Sequence, residues 1–299
     1  MNIERLSLDQ MRAFALVAEL GSFSEAARYL NRAQSAVSYA VATLEKQLGV
    51  VVFDRSGYRP SLTTAGRAVL TDIQAILVRT DRLMARTKAL ARGLESDLDL
   101  AVDVLFPFPA LIRTLDAFQT AFPTVNLRVF SDALGAVPER VQNNKQALGI
   151  TVTLSQVPEG LDGFRLADIE LVHVAAPAHP LCQQNTPLSD NDLNDHLQLV
   201  LTDRSNLTRG QDYGVLARRT WRLSDLWTKH QLLKAGMGWG SMPLSTVAED
   251  LKLKALTQLK LERYPNGQYT LPVHCVHRGD TSLGPAARWL IDWLKSLSY

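Results

Sequence analysis

The first 50 residues place apolar side chains with the period of an α-helix. The spacing holds across 8–20 and, over a shorter length, across 24–30. A third segment has one apolar face with i, i+4, i+7, i+11 spacing, formed by Val37, Val41, Leu44 and Leu48. The pattern predicts three helices, the last two joined by the short polar turn 31–34.

Local signals mark where these helices begin and end. Ser24 and Ser35 stand where the second and third helices start, and a serine hydroxyl can accept a hydrogen bond from a free first-turn N–H. Gly49 ends the third helix, because glycine tolerates a left-handed conformation. The apolar run 50–53 and the segment 58–62 then predict a β-hairpin, which would act as a wing beside the helices.

The face of the third helix opposite its apolar stripe is small or polar: Gln34, Ser35, Ser38, Tyr39, Ala42 and Lys46. A helix N-terminus carries free N–H groups and positive partial charge, which suit a phosphate. A helix-turn-helix inserts such a face into the major groove of DNA. An ordinary helical hairpin with a solvated face has the same spacing, so the spacing leaves both interpretations open.

A long helix is predicted from Thr63 or Thr64, either of which can cap it, to about Arg92. Along it one set of positions recurs in steps of four and three: Val69, Ile73, Ile76, Thr80, Leu83, Thr87 and Leu90. A seam held over three heptads predicts pairing with a second copy of the helix. The alternative is a stripe that packs on its own domain. The arginine-rich opposite face favours pairing.

From residue 97 onward, strand and helix patterns alternate. The strands are predicted at 98–104, 125–130, 148–154, 164–166, 170–175, 197–202, 221–223, 256–261 and 269–276. The helices are predicted at 110–122, 136–143, 188–195, 224–235, 245–252 and 284–297, and 236–240 is a predicted turn. This alternation predicts βαβ units and a parallel sheet.

Charge is distributed unevenly along the 299 residues, whose formal net charge is +2. Residues 1–93 carry 13 Lys and Arg against 8 Asp and Glu, and the rest of the chain is slightly acidic. A basic N-terminal part fits a nucleic-acid module, although an asymmetry of this size also arises by chance. The 46% hydrophobic and 21% charged composition is that of an ordinary soluble protein of two or three domains.

Several other functions find little support. The N-terminus has no apolar signal region, and no run approaches the ~18 apolar residues of a membrane span. Cys182 and Cys275 are too few for a disulfide framework, so we expect a cytoplasmic protein. The His274–His277 segment lacks further metal ligands, and the glycines of 236–240 do not have dinucleotide-binding spacing. We find no catalytic triad, and we expect no metal, cofactor or enzymatic activity.

Five motifs occur in order within about 60 residues: F-x-x-V-A-E-x-G-S-F-S-x-A-A, Q-S-A-V-S, L-E-x-x-L-G, V-F-D-R and L-T-x-A-G. Together they resemble the N-terminal domain of LysR-type transcriptional regulators. Three later segments, LVHVAAPAHPL, LLKAGMGWGSMP and PAARWLIDWLK, are similar to the family's regulatory domain. The resemblance therefore covers nearly the whole chain, more loosely after residue 93.

The resemblance implies a fold class: an N-terminal all-α winged helix-turn-helix plus a long linker helix, then an α/β two-lobed, periplasmic-binding-protein-like effector domain. It places the DNA-binding domain at 1–62, the linker and dimerisation helix with its hinge at 63–93, and the effector-binding regulatory domain at 94–299. Lobe I would comprise about 94–163 and 267–299, and lobe II about 164–266.

The candidate DNA-binding residues are Ser24, Arg32, Gln34, Ser35, Ser38, Tyr39, Lys46, Arg55 and Arg59. Family members often have basic residues in the middle of the recognition helix, whereas this chain has Ala42 and Thr43. We therefore expect base contacts from the first turns of that helix. Arg55 and Arg59 of the wing would contact phosphates, which position a protein without reading sequence.

The resemblance places an effector between the lobes, near Leu105, Phe106, Ser131, Leu134, Thr202, Asp203, Arg204 and Trp239. Leu105 stands where the family often has Ser or Thr, which favours a more apolar effector. Arg204 could hold a carboxylate through a bidentate pair. For each of these residues, core packing or a solvated loop is the competing interpretation.

The resulting hypothesis is a sequence-specific, effector-controlled transcriptional regulator. Its expected partners are double-stranded DNA with an interrupted inverted repeat, a small-molecule effector and further copies of the chain in a homodimer or homotetramer, with RNA polymerase as a further candidate. The alternative is a cytosolic small-molecule-binding protein or enzyme with a two-lobed fold, in which the N-terminal domain only dimerises the chain.

Overall fold

The computed structural model describes residues 6–91, 93–144, 147–152, 157–184, 187–202, 205, 207 and 213–297. The chain forms two compact units, Met1–Ala89 and Leu90–Tyr299. The predicted helix from 63 therefore belongs almost entirely to the first unit.

Within its described residues, the first unit contains four helices and a small hairpin. They are α1 (Leu8–Leu20), α2 (Phe23–Tyr29), α3 (Gln34–Leu48), β1 (Phe53–Asp54), β2 (Ser61–Leu62) and α4 (Thr64–Ala91). Apolar side chains of α1, α2 and α3 meet those of β1 in one core. The predicted helix-turn-helix and hairpin are confirmed, but each strand of the hairpin has only two residues.

Two predicted caps are wrong, because both helices begin earlier than expected. Ser22 caps α2, so Ser24 lies inside its first turn. α3 follows Ala33 and has no side-chain cap, so Ser35 is already helical. Gly49 ends α3 in the left-handed conformation, at φ 71°, as predicted.

The predicted seam of α4 divides into two parts. Ile73 is buried, and Val69 and Leu77 pack against the same core of the first unit. The beginning of the seam therefore stabilises its own unit, which corrects the prediction of a pairing surface over the whole helix. The physical reason is that the segment of α4 from Val69 to Leu77 packs in the same core as α1, α2 and α3.

The rest of the seam is exposed in a single copy of the chain. The side chains of Ile76, Leu83 and Leu90 are exposed. The Thr80 hydroxyl donates to the Ile76 carbonyl oxygen at 3.0 Å, and the Thr87 hydroxyl donates to a carbonyl of its own helix in the same way. This part of α4 presents apolar surface without a partner within the described residues.

Gly66 lies in the first turn of α4, against the backbone that leads into β1. The Thr63 hydroxyl accepts a hydrogen bond from the Gly66 N–H at 2.9 Å, which confirms Thr63 as a cap. A Cβ on Gly66 would lie 2.9 Å from the carbonyl carbon of Val52 and closer still to its oxygen. Only glycine fits this contact without moving the backbone.

We expect Gly66→Ala to lower the free energy of unfolding of the first unit by about 1–3 kcal/mol, because overpacking here displaces backbone. Gly57→Ala is the matched control, since its Cβ would meet nothing nearer than the Arg59 carbonyl oxygen at 3.6 Å. Urea unfolding followed by circular dichroism would measure both variants. Equal midpoints for the two would contradict the prediction.

The described part of the second unit contains a nine-stranded sheet with the order β4-β3-β5-β11-β6-β9-β7-β8, and β10 pairs with β6. Its first half has parallel strands β3 (Asp97–Asp103), β4 (Asn126–Asp132) and β5 (Ala147–Val152), connected through α5 (Phe108–Ala121) and α6 (Ala136–Asn143). This half confirms the predicted βαβ pattern.

Two long antiparallel strands join the halves of the sheet: β6 (Leu161–Ala175) and β11 (Gln268–Arg278). The strands predicted at 164–166 and 170–175 are one strand, because β6 pairs with β11 from Leu161 to Val172 through a single register shift. β11 also pairs with β5, so the last strand belongs with the first block, as the resemblance implied.

The second half contains β7 (Gln198–Leu201), β8 (Thr220–Leu223), β9 (Trp239–Pro243), β10 (Thr257–Gln258), α7 (Asp190–Asn194), α8 (Leu226–Lys234), α9 (Leu244–Lys252) and a 3-10 helix (Pro180–Gln183), with α10 (Pro285–Ser296) closing the chain. The predicted turn 236–240 is wrong in its last two residues, which start β9. The strand predicted at 256–261 is reduced to two residues, those of β10.

Candidate nucleic-acid interface and regulatory cavity

The polar face of α3 is open to solvent. Its buried face is fixed by Val37, Val41 and Leu44, so helical geometry turns the opposite side outward. Tyr39 is 75% exposed, and Ser38 is half-buried beside it. The other predicted contacts on this helix are exposed too: Gln34, Ser35 and Lys46.

Two predicted contact residues also hold the helices together. The Ser24 hydroxyl donates to Oε1 of Gln34 at 3.1 Å, which ties α2 to the start of α3. The Arg32 guanidinium donates to an Asp9 carboxylate oxygen at 2.6 Å, which fastens the turn to α1. Both residues remain exposed at the edge of the α3 face.

Glu45 positions the wing, a role that the sequence reasoning missed. Its carboxylate accepts hydrogen bonds from the backbone N–H of Val52 at 2.8 Å and of Phe53 at 3.3 Å. It also accepts from Nη2 of Arg55 at 3.1 Å. The Arg55 guanidinium lies 5.2 Å from the centre of the Phe23 ring. The L-E-x-x-L-G motif contained this glutamate and was the available signal.

Two further cations lie on this surface, Lys46 and Arg59. Within the part of the chain that the structure describes, Lys46 and Arg59 form no ion pair. Arg59 and Arg55 flank the exposed tip of the hairpin, where Tyr58 is fully exposed. A polar helix face with cations beside it can contact bases and phosphates together.

The second unit contains a cavity of about 250 Å³. The first half of the sheet contributes Leu105 and Leu134, and the other walls come from the second half and the two long strands. The remaining lining residues are Leu171, His173, Gln198, Leu199, Val200, Leu201, Tyr213, Gly214, Leu216, Lys229, Ser241, Tyr264, Tyr269 and Leu271. The lining is mostly apolar, with few polar groups, as is typical of small-molecule sites.

Asp103 positions the part of the cavity wall that the first half of the sheet contributes. Its buried carboxylate accepts hydrogen bonds from the N–H groups of Leu105 at 2.9 Å, Leu134 at 3.0 Å and Val152 at 3.4 Å. These residues lie at or just after the ends of three parallel strands. Leu134 is in the left-handed region, at φ 51°. A buried acid thus orients both leucines toward the cavity.

Lys229 brings a buried positive charge to the cavity wall. Its side chain is 4% exposed, and Nζ donates to the backbone carbonyl oxygen of Ser241 at 2.6 Å. Burial lowers the pKa of Lys229 to about 7, because the charged form loses its hydration. The lining residues given above include no Asp or Glu.

An aromatic group forms the neighbouring wall. The ring centre of His173 lies 5.2 Å from that of Tyr264 and 5.4 Å from that of Tyr269, and the two tyrosine rings stack at 4.9 Å. Burial lowers the pKa of His173 to about 4, and the positive charge of Lys229 adds to this effect. The His173 ring is therefore neutral at neutral pH.

The predicted effector residues are only partly brought together. Leu105 and Leu134 line the cavity, whereas Phe106 is packed in the core. Ser131 is exposed on the edge strand β4, and Thr202 follows β7 without lining the cavity. Trp239 does not line it either; its side chain is fully buried, and its ring centre lies 6.0 Å from that of His173. Asp203 and Arg204 lie outside the described residues.

The polar lining residues were missed, and one of them had a sequence signal. Lys229 occupies the buried stripe of α8 together with Leu226 and Leu233. A lysine at a core position of an amphipathic helix is unusual, since charged residues are rarely fully buried. Gln198, which also lines the cavity, had no such signal. Its Oε1 accepts hydrogen bonds from the N–H groups of Leu216 and Ala217, and these contacts form only in the folded chain.

Other kinds of site are not found among the described residues. No group of three or more His, Cys, Asp or Glu is placed to hold a metal ion. No described helix is long and apolar enough to cross a membrane. Cys275 is fully buried, which raises its pKa to about 12.

A helix-turn-helix unit joined to a unit with a small-molecule cavity defines a ligand-responsive DNA-binding regulator. Two family descriptions match the chain: "Bacterial regulatory helix-turn-helix protein, lysR family" over residues 8–67, and "LysR substrate binding domain" over residues 91–298. The chain belongs to the LysR family of bacterial transcriptional regulators, with a DNA-binding helix-turn-helix domain and an effector-binding domain.

Named relatives agree with this assignment. The chain is 29% identical over 294 residues to the probable HTH-type transcriptional regulator YhaJ of Escherichia coli (strain K12), covering 98% of this chain and 97% of YhaJ. It is 25% identical over 300 residues to the HTH-type transcriptional regulator AceR of Acinetobacter baumannii, covering 99% and 98%. These names are consistent with a protein that is not an enzyme.

Solved structures share the fold. An H2O2-bound cysteine-to-serine mutant of Corynebacterium glutamicum OxyR has a TM-score of 0.52 and 22% identity, covering 97% of this chain and 93% of that one. Full-length BenM has a TM-score of 0.51 and 20% identity, covering 97% and 96%. Identities at this level establish the fold alone.

Proposed function

We propose that this LysR-family regulator binds an interrupted inverted repeat in double-stranded DNA as a homo-oligomer, and that a small molecule in the cavity controls this binding. The observation that carries the first part is the exposed polar face of α3, held in place by a buried core and bordered by Lys46 and Arg59. The named relatives favour a regulator over a two-lobed binding protein or enzyme.

Different residues of the α3 face would contact bases and phosphates. Gln34, Ser35, Ser38 and Tyr39 lie on the first turns of the recognition helix, the part that meets base edges in a helix-turn-helix. Lys46, Arg55 and Arg59 would meet phosphates at its border. Ser24 and Arg32 would contribute at the edge while they hold α2, α3 and the turn together.

The exposed part of α4 supports the oligomer. Ile76, Leu83, Met84 and Leu90 are all exposed on this helix in a single copy. A second α4 would cover them and bring two recognition helices to two half-sites. The proposed division is then a DNA-binding domain at 1–62, a linker at 63–93 and a regulatory domain at 94–299. The regulator would act in the cytoplasm as a homodimer or homotetramer, with RNA polymerase as a further partner.

Capture and sequencing of genomic fragments by the purified full-length protein tests the proposal. We expect a few discrete sites, each with an interrupted inverted repeat, and an affinity that falls steeply with salt because phosphate contacts release counterions. Uniform retention of all DNA, or retention of none, would remove the recognition role from α3.

A double variant, Ser38→Ala with Tyr39→Ala, should lose site preference, since each good base contact contributes about 1–3 kcal/mol of discrimination. Its salt dependence should stay close to that of the wild type. Arg59→Ala should keep the site preference but weaken the salt dependence. The slope of the logarithm of the binding constant against the logarithm of the salt concentration should fall by about one per bound subunit. Gln74→Ala, exposed on α4, is the control for both. Unchanged site preference in the double variant would contradict the assignment.

A further inference from the structure

Among the described residues, the regulatory cavity has one buried lysine, Lys229, and an aromatic wall beside it. We propose that Lys229 is the anchor of the effector, and that the effector is a small aromatic ring bearing one carboxylate. This inference rests on the proposed function, because it names the ligand class of the same cavity.

The charge of the cavity supports an acidic ligand. An ammonium group has three N–H donors, and the Ser241 carbonyl accepts one of them at 2.6 Å. Since the described lining residues include no carboxylate, the remaining donors lack a charged partner there. A buried charge is stable only when it is paired and hydrogen-bonded. A ligand carboxylate would supply both the pairing and the acceptor atoms.

The walls around Lys229 support an aromatic ring. The mutually stacked rings of His173, Tyr264 and Tyr269 contribute aromatic surface to the lining, and Leu105 and Leu134 contribute aliphatic surface. Aromatic rings prefer offset-stacked or edge-to-face contacts of this type. A dry cavity of about 150 Å³ holds benzene. The cavity of about 250 Å³ therefore has room for a ring and one acidic substituent.

Binding of such an acid should be linked to proton uptake. Burial lowers the pKa of Lys229 to about 7, and a carboxylate beside it would raise that pKa again. The other titratable groups that line the cavity are His173, Tyr213, Tyr264 and Tyr269. His173 has a pKa of about 4, and burial raises the pKa of Tyr269, so neither gains or loses charge near neutrality. Affinity for the acid should fall as pH rises above 7.

The test uses full-length protein with benzoate, phenylacetate and cinnamate, each beside its neutral amide. Isothermal titration calorimetry measures affinity, and two buffers of different ionisation enthalpy at pH 8 measure proton uptake. At least one acid should bind about tenfold more tightly than its amide and take up close to one proton, as expected for a hydrogen bond to a charged group. All five tryptophans lie after residue 220, so their fluorescence reports on this unit during the titration.

Lys229→Met should weaken binding of that acid by about tenfold to 100-fold and abolish the proton uptake. Lys234→Met is the matched control on the same helix, because Lys234 pairs with Asp250 at 2.7 Å and does not line the cavity. Binding of none of the three acids, equal binding of acids and amides, or binding without proton uptake would overturn the inference. The comparison of acids with amides uses the wild-type protein, so it still tests the inference if Lys229→Met fails to fold.

The DNA capture experiment on the same protein separates this inference from the proposed function. Discrete, salt-dependent sites together with no binding of aromatic acids would overturn the ligand class alone. Loss of site-specific capture would overturn the regulator, whatever binds in the cavity.

Discussion

Phe14→Ala should lower the free energy of unfolding of the DNA-binding unit by about 3–5 kcal/mol, the usual cost of deleting a buried phenylalanine ring. Phe14 is fully buried, and its ring centre lies 5.3 Å from that of Phe53 in an edge-to-face contact. It therefore joins α1 to the strand that begins the wing. Since whole domains are stable by only about 5–15 kcal/mol, the variant should lose much of its folded DNA-binding unit and with it its DNA affinity.

The chain allows the two units to be followed separately. All five tryptophans lie in the second unit, so tryptophan fluorescence should give an unchanged transition in Phe14→Ala. Circular dichroism should show an earlier transition from the helices of the first unit. Tyr29→Ala is the control, because its ring is 71% exposed and surface substitutions usually change stability by less than about 0.5 kcal/mol. Equal losses for Phe14→Ala and Tyr29→Ala would contradict the role of Phe14.

The stability of the regulatory unit should rise with pH because of Lys229. Its pKa is about 7 in the folded chain and near 10.5 in the unfolded chain, so between these values the unfolded state binds more protons. Stability rises with pH wherever this holds. The penalty for burying the charge is about 4 kcal/mol at pH 7 and falls to about 2 kcal/mol at pH 9.

Urea unfolding followed by tryptophan fluorescence at pH 7, 8 and 9 measures this dependence. Between pH 7 and pH 9 the free energy of unfolding of the wild type should rise by about 2 kcal/mol more than that of Lys229→Met. Comparing slopes with pH removes the constant effect of losing the hydrogen bond to Ser241. Lys234→Met should keep the slope of the wild type. If the free energy of unfolding had the same slope with pH in the wild type and in Lys229→Met, the pKa of Lys229 would not differ between the folded and unfolded chains, which would contradict the prediction.

Local patterns predicted the helices and the hairpin of the first unit, but not where α2 and α3 begin or that the start of the α4 seam is buried. The spacing of Val37, Val41 and Leu44 alone decides which side of α3 faces the core, because the helix has a fixed period. The exposed face that we propose for DNA follows from the same geometry. The errors at Ser24 and Ser35 were small, since helix starts depend on hydrogen bonds that spacing does not encode.

The regulatory cavity was only partly predictable. Leu105 and Leu134 were found because the family resemblance places the effector next to the residues that follow these strands, and the carboxyl ends of parallel strands meet at one edge of a sheet. Trp239 was predicted from a turn, but it starts a buried strand and faces the core. The difference arises from pairing of β9 with β6, which no local pattern indicates.

By itself, therefore, the sequence determined the order of helices and strands, the family and the polar face of the recognition helix, because each is encoded by neighbouring residues. Only the tertiary structure decided which groups share the cavity. Lys229, His173 and Tyr269 come from three separate elements and meet through the long pairing of β6 with β11 and the packing of α8. The burial that lowers the pKa of Lys229 exists only after these distant segments have assembled, so the sequence pattern alone could not predict this pKa.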